Sequence, residues 1–337
     1  MKFPFYSGIG NREKSELPIT LPVPPRSQLL QPENYIADAG LKDACNVALL
    51  LGQPLLLTGE PGTGKTQLAY SLAWELGLEQ PLKFETKSTS IARELFYTYD
   101  ALKRFQDVQS GVTATNFLNY ITFQALGLAI LRSRNPDEVK HLLPSEILHS
   151  EKARSVVLID EIDKAPRDFS NDLLNELELM YFRIPELANE EIVGDVNLQP
   201  IVIITSNSEK DLPDAFLRRC IYYNIPFPES ERLLEIVANR LGINTGRSNS
   251  FLQAALNLFY RLRSPQTGLR KKPATSELLS WLIILQKFTR ESENPLIQRD
   301  IVFGTLSSLI KTAEDQEKAE KVVEQWIKEQ KKTSQIG

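Results

Sequence analysis

The sequence predicts an α/β protein in which a parallel sheet of five strands is interleaved with helices and followed by a helical domain. Three observations predict this fold. Short apolar runs of strand length alternate with amphipathic runs of helix length up to about residue 227. Several of the short runs are apolar on both faces, as buried parallel strands are. Beyond residue 227 only helical periodicity remains.

Length and charge narrow the class of protein. A chain of 337 residues usually holds more than one core, so two domains are expected. The composition is that of a soluble globular protein. A formal net charge of −4 does not indicate nucleic-acid binding by the molecule as a whole, although a local basic strip is not excluded.

Cysteines and histidines form no recognisable ligand set. Cys45 and Cys220 lie far apart in the chain and match no metal or redox spacing, which favours two buried thiols in a reducing compartment. His141 and His149 likewise predict no metal site.

No segment resembles a leader or a membrane span. Residues 1–11 lack the basic and apolar regions of a secretory signal. The longest loosely apolar stretch, residues 117–131, is too short and too polar to cross a bilayer. A cytoplasmic protein without membrane contact is expected.

The N-terminal elements are an arm and a helix. Four prolines between residues 18 and 25 favour an extended arm over residues 1–30. A helix follows, ended by Gly52. Its predicted apolar stripe is Leu41, Ala44, Val47, Ala48 and Leu51.

A glycine-rich stretch lies between the apolar run 54–57 and the amphipathic run 67–76. It matches the phosphate-binding pattern in the strand-loop-helix setting that this pattern requires. Glycine-permitted backbone N–H groups and the positive end of a helix form a concave anion site. The alternative is a plain glycine-rich turn before a helix. The residues are Gly59, Glu60, Pro61, Gly62, Thr63, Gly64, Lys65 and Thr66.

The stretch predicts how a nucleotide and Mg²⁺ are held. Lys65 is expected to reach the β- and γ-phosphates, and the Thr66 hydroxyl is expected to ligate Mg²⁺. Gln67, the next residue of the helix, completes the predicted nucleotide-binding set.

Residues 81–86 predict a second strand, and the segment that follows is harder to interpret. Residues 117–131 and 137–143 have helix-like composition, so residues 87–154 are expected to form a helical layer with an insertion.

A continuous apolar run, residues 156–159, predicts a central strand that ends in Asp160 and Glu161. An Asp in this position can hold Mg²⁺ through its water shell, and an adjacent Glu can orient and activate an attacking water. The alternative is a pair of solvated carboxylates at the end of a strand.

The next elements continue the sheet. A helix is expected from Pro166 and a hairpin over about residues 182–199, followed by strands at 201–204 and 221–226. Asn207 follows the first of these strands and can hold the same water against the γ-phosphate. Taken alone, an Asn there is a common turn former.

From residue 228 the pattern predicts four helices and a charged terminal helix, residues 313–332. The terminal helix has a narrow apolar stripe that docks either on the domain or on a partner. The stripe is Val322, Val323, Trp326 and Ile327.

Four motifs, GEPGTGKT, VVLIDEIDKA, IVIITSN and LPDAFLRRC, occur in the order and spacing of AAA+ ATPases. Over about residues 33–290 the chain resembles this family, and most closely its MoxR-like branch. The resemblance implies a P-loop NTPase core with an αβα sheet over residues 31–227, carrying an insertion at about 87–154 and a hairpin at about 182–199. It also implies a helical lid over 228–337, a ring of usually six subunits, and ATP bound between neighbours.

The resemblance assigns roles by position. Arg219 looks like the arginine finger that enters the neighbouring subunit's site, with Arg218 beside it; the alternative is that these arginines serve solubility or an internal ion pair. Tyr35 and Ile36 match where the family packs adenine, and an ordinary core role stays open for them. The other assignments are Lys65 and Thr66 on the phosphates, Asp160 on the metal, Glu161 on the water and Asn207 as the first sensor.

The chain departs from the family at one place. Many members have an arginine in the lid helix that senses the γ-phosphate, whereas here Ser276 follows Thr275. Either Arg270, Lys271 or Lys272 substitutes for it, or coupling of the lid is weakened. A lysine would supply charge without the planar fork of arginine.

The resemblance implies an ATP-driven remodelling machine that acts on a protein client. In MoxR-like systems the client often contains a von Willebrand factor A domain. A regulatory switch with slow turnover is the alternative. A nucleic-acid-translocating motor is disfavoured by the acidic balance and by the lack of basic residues interleaved with aromatics.

Overall fold

The computed structural model describes residues 31–111, 116–143, 149–207, 211–242, 250–287 and 298–336, with isolated positions 6, 20, 21, 23, 147 and 296. The described residues fall into two compact units. One spans Tyr35–Phe227, and the other starts at Pro228 and includes the turn at Pro32–Asn34. The predicted arm, residues 1–30, lies almost wholly outside the described residues.

A parallel sheet of five strands lies at the centre of the first unit, and the predicted α/β fold is confirmed. The strands are β1 (Leu55–Gly59), β2 (Leu82–Glu85), β3 (Tyr97–Tyr99), β4 (Ile121–Phe123), β5 (Val156–Asp160), β6 (Tyr181–Ile184), β7 (Glu190–Val193), β8 (Ile201–Thr205) and β9 (Ile221–Ile225). The order in the sheet is β2-β5-β8-β1-β9, and two antiparallel pairs, β3 with β4 and β6 with β7, stand apart from it.

The register of the sheet brings the ends of distant strands together. Leu55 pairs with both Ile203 and Ile221, and Glu85 pairs with Asp160. Because all these pairs are parallel, the carboxyl ends of β1, β5 and β8 lie at one edge of the sheet. The candidate site is built at this edge.

Helices cover both faces of the sheet, so the central strands are buried on both sides. Leu55 and Leu57 face one apolar core and Leu56 faces the other. The helices of this unit are α1 (Ala39–Leu51), α2 (Lys65–Glu75), α3 (Ala101–Gln109), α4 (Ala125–Ser133), α5 (Pro136–Val139), α6 (Arg167–Asp172), α7 (Leu174–Leu179) and α8 (Asp214–Leu217).

The predicted stripe of α1 is wrong in part. Leu41 and Ala48 are buried, and Cys45 between them completes the inward face at helical spacing. Val47 is 42% exposed and Leu51 is 61% exposed. The helix is therefore rotated relative to the prediction, because the smaller Cys45 faces the sheet in place of the larger aliphatic side chains.

The predicted helical layer between residues 87 and 154 is also wrong in part. Residues 121–123 form β4, which pairs with β3 across the intervening α3, and the helix α4 begins only at Ala125. Aromatic packing explains the difference, because Phe96, Tyr97 and Phe123 surround the ring of Phe182 at centroid distances of 5.3–6.3 Å. In the second predicted helical segment, residues 137–143, helix extends only to Val139.

The second unit consists of helices. Trp326 is fully buried, and its indole Nε1 donates to Asn257 Oδ1 at 2.9 Å, so the terminal helix packs within its own unit. In the described part of the chain, no helix is both long and apolar enough to cross a membrane. The helices are α9 (Ser230–Leu241), α10 (Ser250–Arg263), α11 (Thr275–Gln286), α12 (Arg299–Thr305) and α13 (Ala313–Ile336).

Candidate nucleotide-binding site

The loop between β1 and α2 has a backbone that glycine alone adopts easily. Gly59, Gly62 and Gly64 have φ angles of 139°, 78° and 93°, all in the region that disfavours side chains. A Cβ on Gly59 would lie 2.5 Å from the carbonyl oxygen of Ile225. The glycines therefore let the loop curve closely against the neighbouring strand.

Lys65, the first residue of α2, is 6% exposed. Its Nζ donates to the carbonyl oxygens of Gly59 at 2.8 Å and Glu60 at 3.0 Å. Burial lowers the pKa of Lys65, and the nearby carboxylates of Asp163 and Asp160 oppose that shift in part. The ammonium thus lies against the loop that is predicted to bind phosphate.

Asp160 is the centre of a hydrogen-bonded cluster at the end of β5. Its Oδ1 accepts from Thr66 Oγ1 at 2.9 Å and Thr205 Oγ1 at 2.7 Å, and its Oδ2 pairs with Lys83 Nζ at 3.0 Å. Burial alone would raise the pKa of Asp160, but the hydrogen bonds from Thr205, Lys83 and Thr66 outweigh it and hold the pKa below its usual range. Asp160 is therefore an anion at neutral pH.

Glu161 follows with a left-handed backbone, at φ 57° and ψ 53°. Such a conformation in a residue other than glycine costs about 1–3 kcal/mol and is concentrated at functional sites. Its N–H donates to Thr205 Oγ1 at 2.9 Å, and its Oε1 accepts from Asn207 Nδ2 at 3.1 Å. Its Oε2 pairs with Lys164.

Asn207 is held by a buried acid. Its backbone N–H donates to both carboxylate oxygens of Asp163 at 3.2 Å, and Asp163 is 2% exposed. This contact fixes the chain after β8, so that the amide of Asn207 reaches Glu161. The predicted metal, water and sensor residues are thus neighbours in space.

A family model for the ATPase family associated with various cellular activities (AAA) matches residues 55–228, which is more than half of the chain. The chain belongs to the AAA family of ATPases. The family binds nucleotides and, in general, hydrolyses ATP. No curated protein matches this AAA chain.

Other residues of the predicted nucleotide set lie near the loop of the AAA domain. A Cβ on Gly64 would lie 3.1 Å from Tyr35 Cε2, so the Tyr35 ring packs on the loop. Ile36 is the next residue and is half-buried. The Oε1 atom of Gln67 is buried, and among the described residues it has no hydrogen-bond partner.

Arg218 and Arg219 lie at the opposite edge of the AAA sheet. They directly precede Cys220 and β9, whose first residue pairs with Leu55 at the amino end of β1. Arg219 Nε donates to Glu178 Oε2 at 2.9 Å. Both arginines line an open cavity of about 440 Å³. The strand length separates them from the phosphate loop of their own chain by roughly 15–20 Å.

The three basic residues predicted as substitutes for the lid arginine belong to the helical unit. Arg270, Lys271 and Lys272 are exposed. The backbone N–H groups of Arg270 and Lys271 donate to the two oxygens of Asp315, which is fully buried. Asp315 thereby fixes the turn that carries these cations.

Sequence reasoning did not assign a role to three residues that hold the cluster. Thr205 carried a weak signal, because it is a hydroxyl residue at the end of a buried strand. Lys83 and Asp163 gave none, since a charged residue in an edge strand, or one inside a motif but beyond the end of its strand, is usually solvated. Their contacts become visible only in the folded sheet.

Proposed function

We propose that this protein is a MoxR-like AAA+ ATPase that binds and hydrolyses Mg²⁺·ATP at subunit interfaces to remodel or activate a protein partner. One observation carries the proposal. The phosphate loop, Asp160, Glu161 and Asn207 meet at one edge of the sheet, whereas Arg219 lies at the other edge.

The loop fits a triphosphate. Its glycines open a concave backbone at the start of α2, where N–H groups and the helix dipole favour an anion. Lys65 exchanges the carbonyl oxygens of Gly59 and Glu60 for phosphate oxygens, which are better partners for an ammonium. Tyr35 covers the loop on the side where adenine is proposed to pack.

The donors at Thr66 and Asp160 fit Mg²⁺. A hydroxyl and an ionised carboxylate are hard oxygen ligands, and no nitrogen or sulfur ligand competes in the cluster described above. Thr66 and Asp160 would hold the ion, which would supply positive charge to stabilise the negative charge that develops on the phosphate. The hydroxyl of Thr66 donates to Asp160 Oδ1, so the two oxygen donors lie side by side.

Glu161 orients the attacking water and accepts its proton. Its Oε1 accepts from the amide of Asn207, and this contact supports a role for Asn207 in holding the same water. Its Oε2 pairs with Lys164 in an exposed contact that solvent weakens. The alternative function is a nucleotide-dependent regulatory switch with slow turnover.

Arg219 acts on the neighbouring subunit, because its own phosphate loop lies across the sheet. An arginine that neutralises charge on the γ-phosphate contributes about 10³–10⁵-fold to such reactions. To reach the γ-phosphate of the neighbouring subunit, Arg219 gives up its ion pair with Glu178. Arg218 supplies a second positive charge beside it. The proposed assembly is a homo-oligomeric ring, most simply a hexamer.

The MoxR-like assignment rests on the four motifs and on two accessory elements. The segment β3-α3-β4 lies where that branch has an insertion, and the β6-β7 hairpin precedes the fourth strand of the core in chain order. By the same resemblance the proposed client is a protein with a von Willebrand factor A domain. Turnover that rises when a client is added favours remodelling, and a stable ATP-bound ring with near-zero turnover favours the switch.

Mixing two inactive variants tests the shared site. Glu161→Gln subunits keep the finger, and Arg219→Ala subunits keep the water-activating residue, so mixed rings should regain part of the ATPase rate. The matched control mixes Glu161→Gln with Lys65→Ala, because no site in that mixture has both nucleotide and Glu161. Equal rates in the two mixtures would contradict action between subunits.

A further inference from the structure

Lys83 is shared between two carboxylates on strand β2. Its Nζ lies 2.8 Å from Glu85 Oε1 and 3.0 Å from Asp160 Oδ2. The Asp160 side chain is 13% exposed and the Glu85 side chain is 72% exposed, so one partner is largely buried and the other is in solvent. Residues two apart on a strand share a face, which explains how Lys83 reaches Glu85.

The sheet fixes the position of Lys83. Strands β2 and β5 pair in parallel, with Lys83 opposite Leu158 and Glu85 opposite Asp160. The Lys83 side chain therefore needs only to lean along its strand to contact Asp160. Since Thr66 and Thr205 already donate to Oδ1, the contact with Lys83 means that both oxygens of Asp160 accept from protein groups.

An ammonium on Oδ2 changes how the site receives a divalent cation. Mg²⁺ binds carboxylate oxygens either directly or through its water shell, and a neighbouring positive charge repels the ion. Glu85 competes with Asp160 for the same ammonium and weakens its hold on Oδ2. Lys83 is a cation at neutral pH, so this competition is always present.

We propose that Lys83 is a positioning residue that occupies Oδ2 of Asp160 and sets the Mg²⁺ concentration required for nucleotide binding, while Glu85 determines how firmly Lys83 is held there. The inference rests on the proposed function, because it takes Asp160 as a metal-holding residue. It adds a contact from the edge strand that tunes this site.

The test measures binding of a fluorescent ATP analogue as Mg²⁺ is titrated at constant ionic strength. Lys83→Gln should lower the half-saturating Mg²⁺ concentration about tenfold, because it removes the charge and keeps a hydrogen-bond donor. Glu85→Gln should raise it, since Lys83 then has Asp160 as its remaining carboxylate partner. In the Lys83→Gln background, Glu85→Gln should have no effect.

Lys87→Gln is the matched control. Lys87 is exposed, lies four residues further along the chain and attracts the Glu85 carboxylate. Among the described residues the ion pair of Asp160 is with Lys83, so loss of the Lys87 charge should shift the Mg²⁺ requirement less than twofold. Equal shifts for Lys83→Gln and Lys87→Gln would overturn the proposal. So would additive effects of Lys83→Gln and Glu85→Gln, or loss of Mg²⁺-dependent binding by folded Lys83→Gln.

Two further outcomes are separable. If Lys83→Gln does not fold, Glu85→Gln decides: a raised Mg²⁺ requirement supports the proposal, and an unchanged one contradicts it. If the unsubstituted protein binds no nucleotide at any Mg²⁺ concentration, the proposed function fails and the inference fails with it. Nucleotide binding with an unchanged Mg²⁺ requirement in the variants overturns the inference alone.

Discussion

The hydroxyl of Thr205 joins the two acidic residues of the site. It donates to Asp160 Oδ1 at 2.7 Å and accepts from the backbone N–H of Glu161 at 2.9 Å. Thr205 is 1% exposed, so neither contact can be replaced easily by bulk water. A single side chain thus fixes the metal-binding carboxylate proposed here and the strained backbone of the residue after it.

Thr205→Val should destabilise the protein by about 1–3 kcal/mol, because it leaves a buried N–H and a carboxylate oxygen short of a partner. ATP turnover should fall as well, since Asp160 and Glu161 lose their common support. Chemical denaturation and steady-state turnover provide the measurements. Thr205→Ser keeps the hydroxyl and is the control, and equal losses in the two variants would show that the hydrogen bonds are unimportant.

Cys45 makes the free energy of unfolding depend on pH in the alkaline range. Burial, with smaller contributions from Asp38 and Glu75, raises the pKa of Cys45 to about 11. Below about pH 8.5 the thiol is protonated in the folded and unfolded chains alike. Above that, up to about pH 11, the unfolded chain alone loses the proton, so the free energy of unfolding falls as pH rises.

Cys45→Ala should therefore lose stability less steeply than the parent protein between about pH 8.5 and 11, by up to about 3 kcal/mol across the window. Denaturation at several pH values measures the two slopes. Cys220, whose pKa burial raises to about 12, is present in both proteins and cancels in the comparison. Parallel slopes would contradict the assignment.

Among individual residues, the sequence allowed prediction of those that belong to a motif with fixed spacing. Lys65, Thr66, Asp160 and Glu161 belong to this group, because strand, loop and helix constrain them locally. Residues that act through pairing across strands were not predictable. Lys83 is an example, since its contact depends on the register of β2 against β5.

The apolar sides of two amphipathic helices, α3 and α13, differ in their exposure to solvent. The polar side of α3 faces its own hairpin, where the guanidinium of Arg104 lies 4.3 Å from the Phe117 ring centroid and Asp107 accepts from the Tyr120 hydroxyl. Phe105 lies on the apolar side of this helix and is 59% exposed. In α13, Val323, Trp326 and Ile327 of the predicted stripe are buried, whereas Val322 is half-buried.

Trp326→Ala should cost about 3–5 kcal/mol, because it empties a buried site and leaves Asn257 without its indole donor. Phe105→Ala, an aromatic truncation on an exposed helix face, should change the free energy of unfolding by no more than about 0.5 kcal/mol. Urea denaturation of both variants gives the comparison. A large loss for Phe105→Ala would mean that its ring is covered in solution.

Periodicity alone did not decide these environments. It identified α13 and its stripe, but an apolar stripe predicts burial without naming what covers it. The strand β4 was missed because Ile121, Thr122 and Phe123 adjoin a longer helical run, and only aromatic packing around Phe182 selects an extended backbone there. Elements set by tertiary contacts are the ones that local pattern fails to predict.

At the scale of the whole molecule, parallel strands gather residues that are far apart in the chain. Gly59 and Asp160 end β1 and β5, and Asn207 follows β8, so the three residues lie at the carboxyl ends of neighbouring strands. Alternating strands and helices predicted this arrangement, because a parallel sheet places the ends of its strands together. Arg219 lies beyond the amino end of β9, which is why a second subunit is proposed to complete the site.

The most direct test of ATP binding and hydrolysis at this edge is the comparison of bound nucleotide and steady-state turnover in Glu161→Gln. The substitution preserves the shape of the side chain and removes the proton acceptor. We predict that the variant retains ATP while turnover falls by about 10²-fold or more, whereas Lys65→Ala loses both. Turnover by Glu161→Gln equal to that of the parent protein would contradict the account.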